Sequence, residues 1–322
     1  MERLVGTVLN NTYRIDKLLG QGGMGAVFRA RDVALDRDVA IKLMHSHIAS
    51  QQGFRERFLQ EARAIAALSH PGIVPIYSFS SDPQQLYIVM AFIPGQNLAD
   101  WLHLLSERQQ TMSLPEALGI VELVAEALAS AHHRGVYHRD IKPGNIILKP
   151  LESGQVNEAG LTFQPIVTDF GLAKLAEGGV HSMAGMSMGT PAYMAPEQCE
   201  AKPIDGRADI YSLGVVLYEL VTGRVPFPVS TLTEALRAHT QEPPPPPRAV
   251  APDLPSPIER IILKALAKRM EDRFQTASEM AEAVRMARVG LGPSQADATV
   301  TPARSGHASL VTMMVQETPP PT

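Results

Sequence analysis

The sequence predicts an α+β fold in two lobes, a small strand-rich one followed by a larger, mainly helical one. Residues 13–93 carry short alternating or β-branched runs, Val39-Ala40-Ile41-Lys42-Leu43-Met44 and Leu86-Tyr87-Ile88-Val89-Met90 among them. Beyond Pro94-Gly95 the apolar residues recur at helical spacing. A chain of 322 residues, 45% hydrophobic and 19% charged, has the material for a core in each lobe.

In the first lobe one helix, from about Gln52 to Leu68, interrupts the strands. The second lobe opens its first long helix with Ser113-Leu114-Pro115-Glu116, a capping box with proline in the first turn. Its apolar positions include Leu118, Val121, Val124 and Leu128, and Gly135 is its expected end cap. Further helices are expected over Ala208–Thr222, Leu232–Thr240, Pro257–Lys268 and Thr276–Arg288, with Pro243–Pro247 a stiff connector. The expected divisions are an extension over 1–12, lobes over 13–93 and 94–289, and a disordered Pro/Ser/Thr-rich tail over 290–322.

The net charge of −4 gives no reason to expect nucleic acid or an anionic membrane as partner. The single cysteine, Cys199, excludes an internal disulfide framework and suits a reducing compartment. Met1-Glu2-Arg3-Leu4 begins no secretory signal, and the apolar stretch Ile210–Val221 is too short to span a bilayer, so a cytoplasmic chain without a membrane segment is expected.

The first chemical signal is Gly20-Gln21-Gly22-Gly23-Met24-Gly25-Ala26-Val27. Such a string also marks dinucleotide-binding domains, the basis for a dehydrogenase reading, but there a helix begins within the glycines. Here Ala26–Ala30 reads as strand, so the glycines form a hairpin turn whose backbone lies over phosphates. The second signal is a pair of charges among apolar residues: Lys42 on the strand face of Ala40 and Met44, and Glu61 in the helical stripe of Phe54, Phe58, Ile65 and Leu68. A carboxylate there is costly without a partner, and the expected partner is Lys42.

The third signal is the most specific. His138-Arg139-Asp140-Ile141-Lys142-Pro143-Gly144-Asn145 matches H-R-D-x-x-x-x-N at every defined position. Phosphoryl transfer needs a carboxylate to accept the attacking hydroxyl's proton, the role of Asp140; Lys142 offsets charge on the moving group. Asn145 and Asp169, in Asp169-Phe170-Gly171, supply oxygen ligands to a hard divalent cation.

By these motifs residues 10 to about 288 resemble the eukaryotic-like serine/threonine protein kinases of bacteria. The resemblance implies the two-lobed protein kinase fold, with a five-stranded antiparallel sheet and one major helix ahead of the helical lobe. It implies ATP with Mg²⁺, or Mn²⁺ in its place, beneath Gly20, Gly22 and Gly25 and beside Leu19, Val27, Lys42 and Glu61. Met90 would gate the adenine pocket, with Phe92 in a hinge over Ala91–Ile93. Gly189–Glu197 resembles the substrate-docking segment, Asp209–Gly214 the start of the central buried helix, and Arg273 the arginine that pairs with Glu197. Lys142 and Thr190 point to Ser/Thr hydroxyls of proteins as acceptors, and self-association would serve autophosphorylation in trans. Ser182 and Ser187 are the candidate phosphosites. The rival reading is a pseudokinase scaffold, which would be expected to lack one of Lys42, Asp140 or Asp169; all three are present. Two weaker features have bland readings: 150–165 as a tolerated surface hairpin, and His132-His133 as ordinary packing.

Overall fold

A computed structural model describes residues 2–49, 53–80, 85–108, 110, 112–170 and 191–291. In the smaller lobe, strands β1 (Val8–Leu9), β2 (Tyr13–Gly22), β3 (Gly25–Asp32) and β4 (Arg37–Met44) are followed by helices α1 (Ser46–Ala49) and α2 (Phe54–Ala66). Strands β5 (Ile76–Phe79) and β6 (Tyr87–Ala91) complete an antiparallel sheet in the order β1-β2-β3-β4-β6-β5. The sheet has six strands, one more than expected. Val8 and Leu9 pair with Arg14 and Tyr13, so part of the stretch expected as an extension joins the sheet, with Leu9 buried. The reversal uses Asn10 and Asn11 at φ 50° and 53°, where asparagine is tolerated better than most residues.

Alternation along β4 divides the lobe's core in two. Val39, Ile41 and Leu43 pack with Phe28 and Val89 on one face; Ala40 and Met44 face Phe54, Phe58 and Ala62 of α2 on the other. Lys42 shares the α2 side by the same period, so the strand aims its ammonium toward the space between the lobes.

The larger lobe begins with β7 (Gln96–Asn97) and α3 (Leu98–Glu107), a helix not foreseen although Asn97 caps it through a bond from the Asp100 N–H at 2.9 Å. Helix α4 (Leu114–His132) has the expected capping box, Ser113 Oγ accepting from the Glu116 N–H and the Glu116 carboxylate from the Ser113 N–H. Strands β8 (Ile146–Pro150) and β9 (Phe163–Val167) pair with each other, and β8 with β7. Helices α5 (Pro196–Cys199), α6 (Gly206–Thr222), α7 (Leu232–Gln241), α8 (Pro247–Val250), α9 (Ser256–Ala265) and α10 (Ala277–Val289) follow. Pro247, expected inside a connector, instead opens α8, a position where a missing N–H costs nothing. Helix α6 is buried almost throughout, and a Cβ on Gly214 would lie 2.7 Å from that of Ala265, so glycine permits the close approach of α9.

The lobes are joined where Ile73 pairs in parallel with Val167, the Val74 N–H donating to Val167 O at 3.0 Å and the Val167 N–H to Gly72 O at 2.8 Å. The β8–β9 connection is a folded unit. Asn157 Oδ1 accepts from the N–H groups of Ala159 and Leu161, and both residues are buried, Leu161 against Gly119 of α4. Arg288 of α10 clamps it by donating to Ala159 O while paired with Glu122 at 2.8 Å. The bland reading of 150–165 is corrected here: its tip is exposed, but its return strand closes the core.

Candidate active site

The glycine string is the β2–β3 hairpin, with Gly20 opposite Val27 and Gly22 opposite Gly25. Gly20 and Gly22 are exposed, and a Cβ on either would meet nothing within 4 Å. Gly25 differs: its Cβ would strike the Leu43 carbonyl, so it is glycine for close approach to β4. Val27 lies opposite Lys42 on β4. Leu19 is 47% exposed. Met90 is buried on β6, opposite Ala40 and Ile76. Phe92 follows that strand, with the Arg29 guanidinium 4.9 Å above its ring.

Across the cleft, the loop after α4 is built around one carboxylate. Asp209, buried in the first turn of α6, accepts from the His138 N–H at 2.8 Å, the Arg139 N–H at 2.7 Å and His132 Nε2 at 2.8 Å. Burial alone would push its carboxyl up, but the His132 hydrogen bond and charge, with His138 and the Arg139 N–H, hold it below the usual range. This loop needs such an anchor, because Arg139 has φ 67°, a conformation unfavourable for a long side chain. His132 is therefore part of the loop's support and not ordinary packing; its ring also meets Tyr137 edge-on. His138 is fully buried, hydrogen-bonds Thr168 O through Nε2 at 2.7 Å and packs edge-on to Phe170 at 4.7 Å. In this way the loop carrying Asp140 and the turn carrying Asp169 are locked to each other.

On that frame, Lys142 Nζ donates to Asp140 Oδ2 at 2.8 Å, and Asn145 Nδ2 donates to Asp140 O at 2.7 Å and Oδ2 at 3.1 Å. The Asn145 amide nitrogen is thus engaged with Asp140, which leaves Oδ1 as its oxygen for a cation. Asp169, at φ 64°, has its Oδ1 2.9 Å from Lys42 Nζ. Burial raises the Asp169 carboxyl, yet the Lys42 ammonium, with His138 and Lys142, keeps it below the ordinary carboxylate range and so anionic.

The expected Lys42–Glu61 ion pair is not the one formed: Lys42 pairs with Asp169. Glu61 lies half-buried on α2 beside Phe58 and Ala62, on the side of the sheet that Lys42 faces. Gly171, Ser182, Ser187 and Thr190 lie outside the described residues.

Below the cleft the segment after Thr190 is tied down by buried polar groups. Arg273 and Glu197 form a two-bond pair at 2.8 Å and 2.8 Å, as the resemblance implied. Gln198 Nε2 donates to Arg139 O at 2.7 Å. The Tyr193 hydroxyl donates to Glu219 Oε2 at 2.6 Å, and Ser212 Oγ to Tyr193 O at 2.7 Å. Sequence reasoning assigned no role to His132, Gln198 or Glu219 and named Asp209 only as a helix start. The available signal was a charge within an almost wholly apolar helix, which demands a partner somewhere.

The donor set fits a hard cation held partly by substrate. Among the described residues no three of His, Cys, Asp and Glu gather to hold a metal unaided, whereas Asn145 and Asp169 offer one neutral and one anionic oxygen. Mg²⁺ is commonly bound that way, with phosphate completing its shell.

A cleft between a glycine hairpin and an aspartate loop is the architecture of a nucleotide-dependent transferase. The chain belongs to the protein kinase family, the protein kinase domain model matching residues 13–284. It is similar to serine/threonine-protein kinase Pkn1 of Myxococcus xanthus, 39% identical over 88% of this chain and 39% of that protein. It is also similar to serine/threonine-protein kinase PknA of Mycobacterium tuberculosis, 37% identical over 96% of this chain and 69% of that one. The chain thus spans about two fifths of one curated relative and about two thirds of the other. The crystallised PknI kinase domain of M. tuberculosis superposes with a TM-score of 0.68 at 28% identity, covering 89% of this chain and 98% of that domain. Among the described residues no helix is long and apolar enough to cross a membrane.

Proposed function

We propose that this chain is a serine/threonine protein kinase that passes the γ-phosphoryl group of ATP to protein hydroxyls, with Asp140 as the base. The observation that carries this is the arrangement around Asp140. Its carboxylate receives an ammonium proton from Lys142 and an amide proton from Asn145, both on Oδ2, in a loop anchored by Asp209. Oδ1 receives neither, and is the oxygen proposed to take the hydroxyl proton as the acceptor attacks phosphorus. Lys142 then offsets negative charge on the phosphoryl oxygens. Mg²⁺ bound by Asn145 and Asp169 would neutralise the phosphates. Lys42 would hold the α- and β-phosphates, Gly20, Gly22 and Gly25 would cover them, and Leu19, Val27, Met90 and Phe92 would frame the adenine. Glu61 is the proposed partner of Lys42 once phosphate and cation take over its contact with Asp169.

Protein Ser/Thr acceptors are supported by Lys142, by Thr190 in the sequence and by the names of the relatives. Autophosphorylation, through self-association and on Ser182 or Ser187, belongs to the same reading, as does action in the cytoplasm. The pseudokinase alternative has nothing in its favour, since Lys42, Asp140, Asn145 and Asp169 are all present. The test is phosphate incorporation from γ-labelled ATP with Mg²⁺, wild type beside Asp140→Asn. Loss of labelling on the order of 10²-fold or more is expected, with ATP still bound; equal labelling overturns the assignment of the base.

A further inference from the structure

We propose that His45 is a positioning residue for the glycine hairpin, holding its phosphate-covering tip against the end of the strand that carries Lys42. This rests on the reading of the cleft as a nucleotide site and assigns a residue that the catalytic motifs do not contain.

His45 follows the last residue of β4, three positions after Lys42. Its backbone N–H donates to Met24 O at 2.9 Å. Its side chain closes a second bond, Nε2 to Gly22 O at 3.0 Å. A carbonyl only accepts, so Nε2 is the protonated nitrogen in this contact. The imidazole is steadied by His47, whose ring stacks on it at 5.4 Å and 18°. Gly22 and Met24 flank Gly23 at the tip, so one residue grips the turn on both sides. The third point of attachment is Gly25, which approaches the Leu43 carbonyl so closely that no side chain would fit.

A glycine-rich turn loses more conformational freedom on ordering than any other, and nothing packs above Gly20 or Gly22 to hold them. Any residue at position 45 could supply the backbone bond. Only a side chain with a donor at the reach of imidazole Nε2 supplies the second. Since β4 carries both His45 and Lys42, the hairpin and the ammonium are set by one strand, and phosphates between them would be met by two parts already in register. A merely structural histidine would stabilise the lobe without favouring phosphates over the rest of the nucleotide.

Calorimetric titration of ATP and of adenosine into wild type, His45→Ala and His45→Gln separates these. His45→Ala should weaken ATP about 2- to 10-fold, the worth of one hydrogen bond, and leave adenosine unchanged. Glutamine, whose amide Nε2 is a donor of comparable reach, should recover most of the loss. ATP affinity unchanged in His45→Ala overturns the proposal, as does an equal loss for adenosine, which would mark a general structural effect. Wild-type protein that fails to bind ATP overturns the nucleotide-site reading itself, an outcome distinct from either.

Discussion

Lys42 Nζ stands 2.9 Å from Asp169 Oδ1, so the lysine expected to grip phosphate and the aspartate expected to grip the cation neutralise each other in this structure. The pair spans the cleft, one partner on a strand of the smaller lobe and the other on the turn after β9. Nucleotide and cation together offer each partner a replacement, phosphate for Lys42 and Mg²⁺ for Asp169. Entry of both is thus an exchange of ion pairs within the cleft and not the burial of new charge.

This exchange makes ATP affinity depend on Asp169. Wild type should bind ATP more tightly with Mg²⁺ than with EDTA, whereas Asp169→Asn should lose that gain and keep metal-free binding within a few-fold. Fluorescent-nucleotide titration with and without Mg²⁺ checks this; a full Mg²⁺ effect in the variant would remove Asp169 from the cation site.

Asp209 accepts three protons within 2.8 Å, two of them from the backbone of the loop that carries Asp140. Asparagine keeps the shape but replaces one acceptor oxygen with a donor, leaving at least one buried N–H opposed. Asp209→Asn should lower kcat on the order of 10²-fold by misplacing the loop, with KM for ATP nearly unchanged, and should cost about 1–3 kcal/mol of stability. Steady-state kinetics with urea unfolding tests both parts.

Glu219 introduces a pH dependence. Burial pushes its carboxyl up to about 7, although the Tyr193 hydrogen bond pulls the other way. The folded chain therefore keeps this proton at pH values where the unfolded chain, near 4.5, has released it. The resulting stabilisation is fully present below the unfolded value and is lost as pH rises to about 7. Relative to Glu219→Gln, wild type should lose on the order of 3 kcal/mol between those limits and then level off. Denaturation series across pH 4.5–8 would show it; parallel profiles for the two proteins would contradict it.

Leu161 is only 4% exposed in the connection between β8 and β9, against Gly119. Leu161→Ala should cost about 2–5 kcal/mol, as for a well-packed core leucine. It should leave kcat unchanged, since no group of the cleft touches it. Chemical denaturation beside kinetics distinguishes this from a tolerated surface loop, for which stability would hardly move.

Much of the molecule was legible from local rules. Period-two alternation placed Lys42 with Ala40 and Met44, and those residues do share one core face. The capping box at Ser113 and the strand after Gly25 likewise follow from chemistry within a few residues. The miss at Leu98–Glu107 was local too, its cap Asn97 having been passed over beside the stronger Ser113 signal. Six strands in place of five came from a pair of asparagines whose left-handed backbone let a two-residue strand form.

The sequence by itself determined the two-lobed order of elements and the chemistry available in the cleft, because periodicity, caps and contiguous motifs act over short range. Tertiary structure alone decided which charges meet. Lys42 had two carboxylates to choose from, 19 and 127 positions away in the chain, and only the disposition of the lobes selects Asp169 over Glu61. The same holds for Asp209, whose three donors lie about 70 residues upstream. A buried charge announces that it needs a partner, but packing chooses the partner.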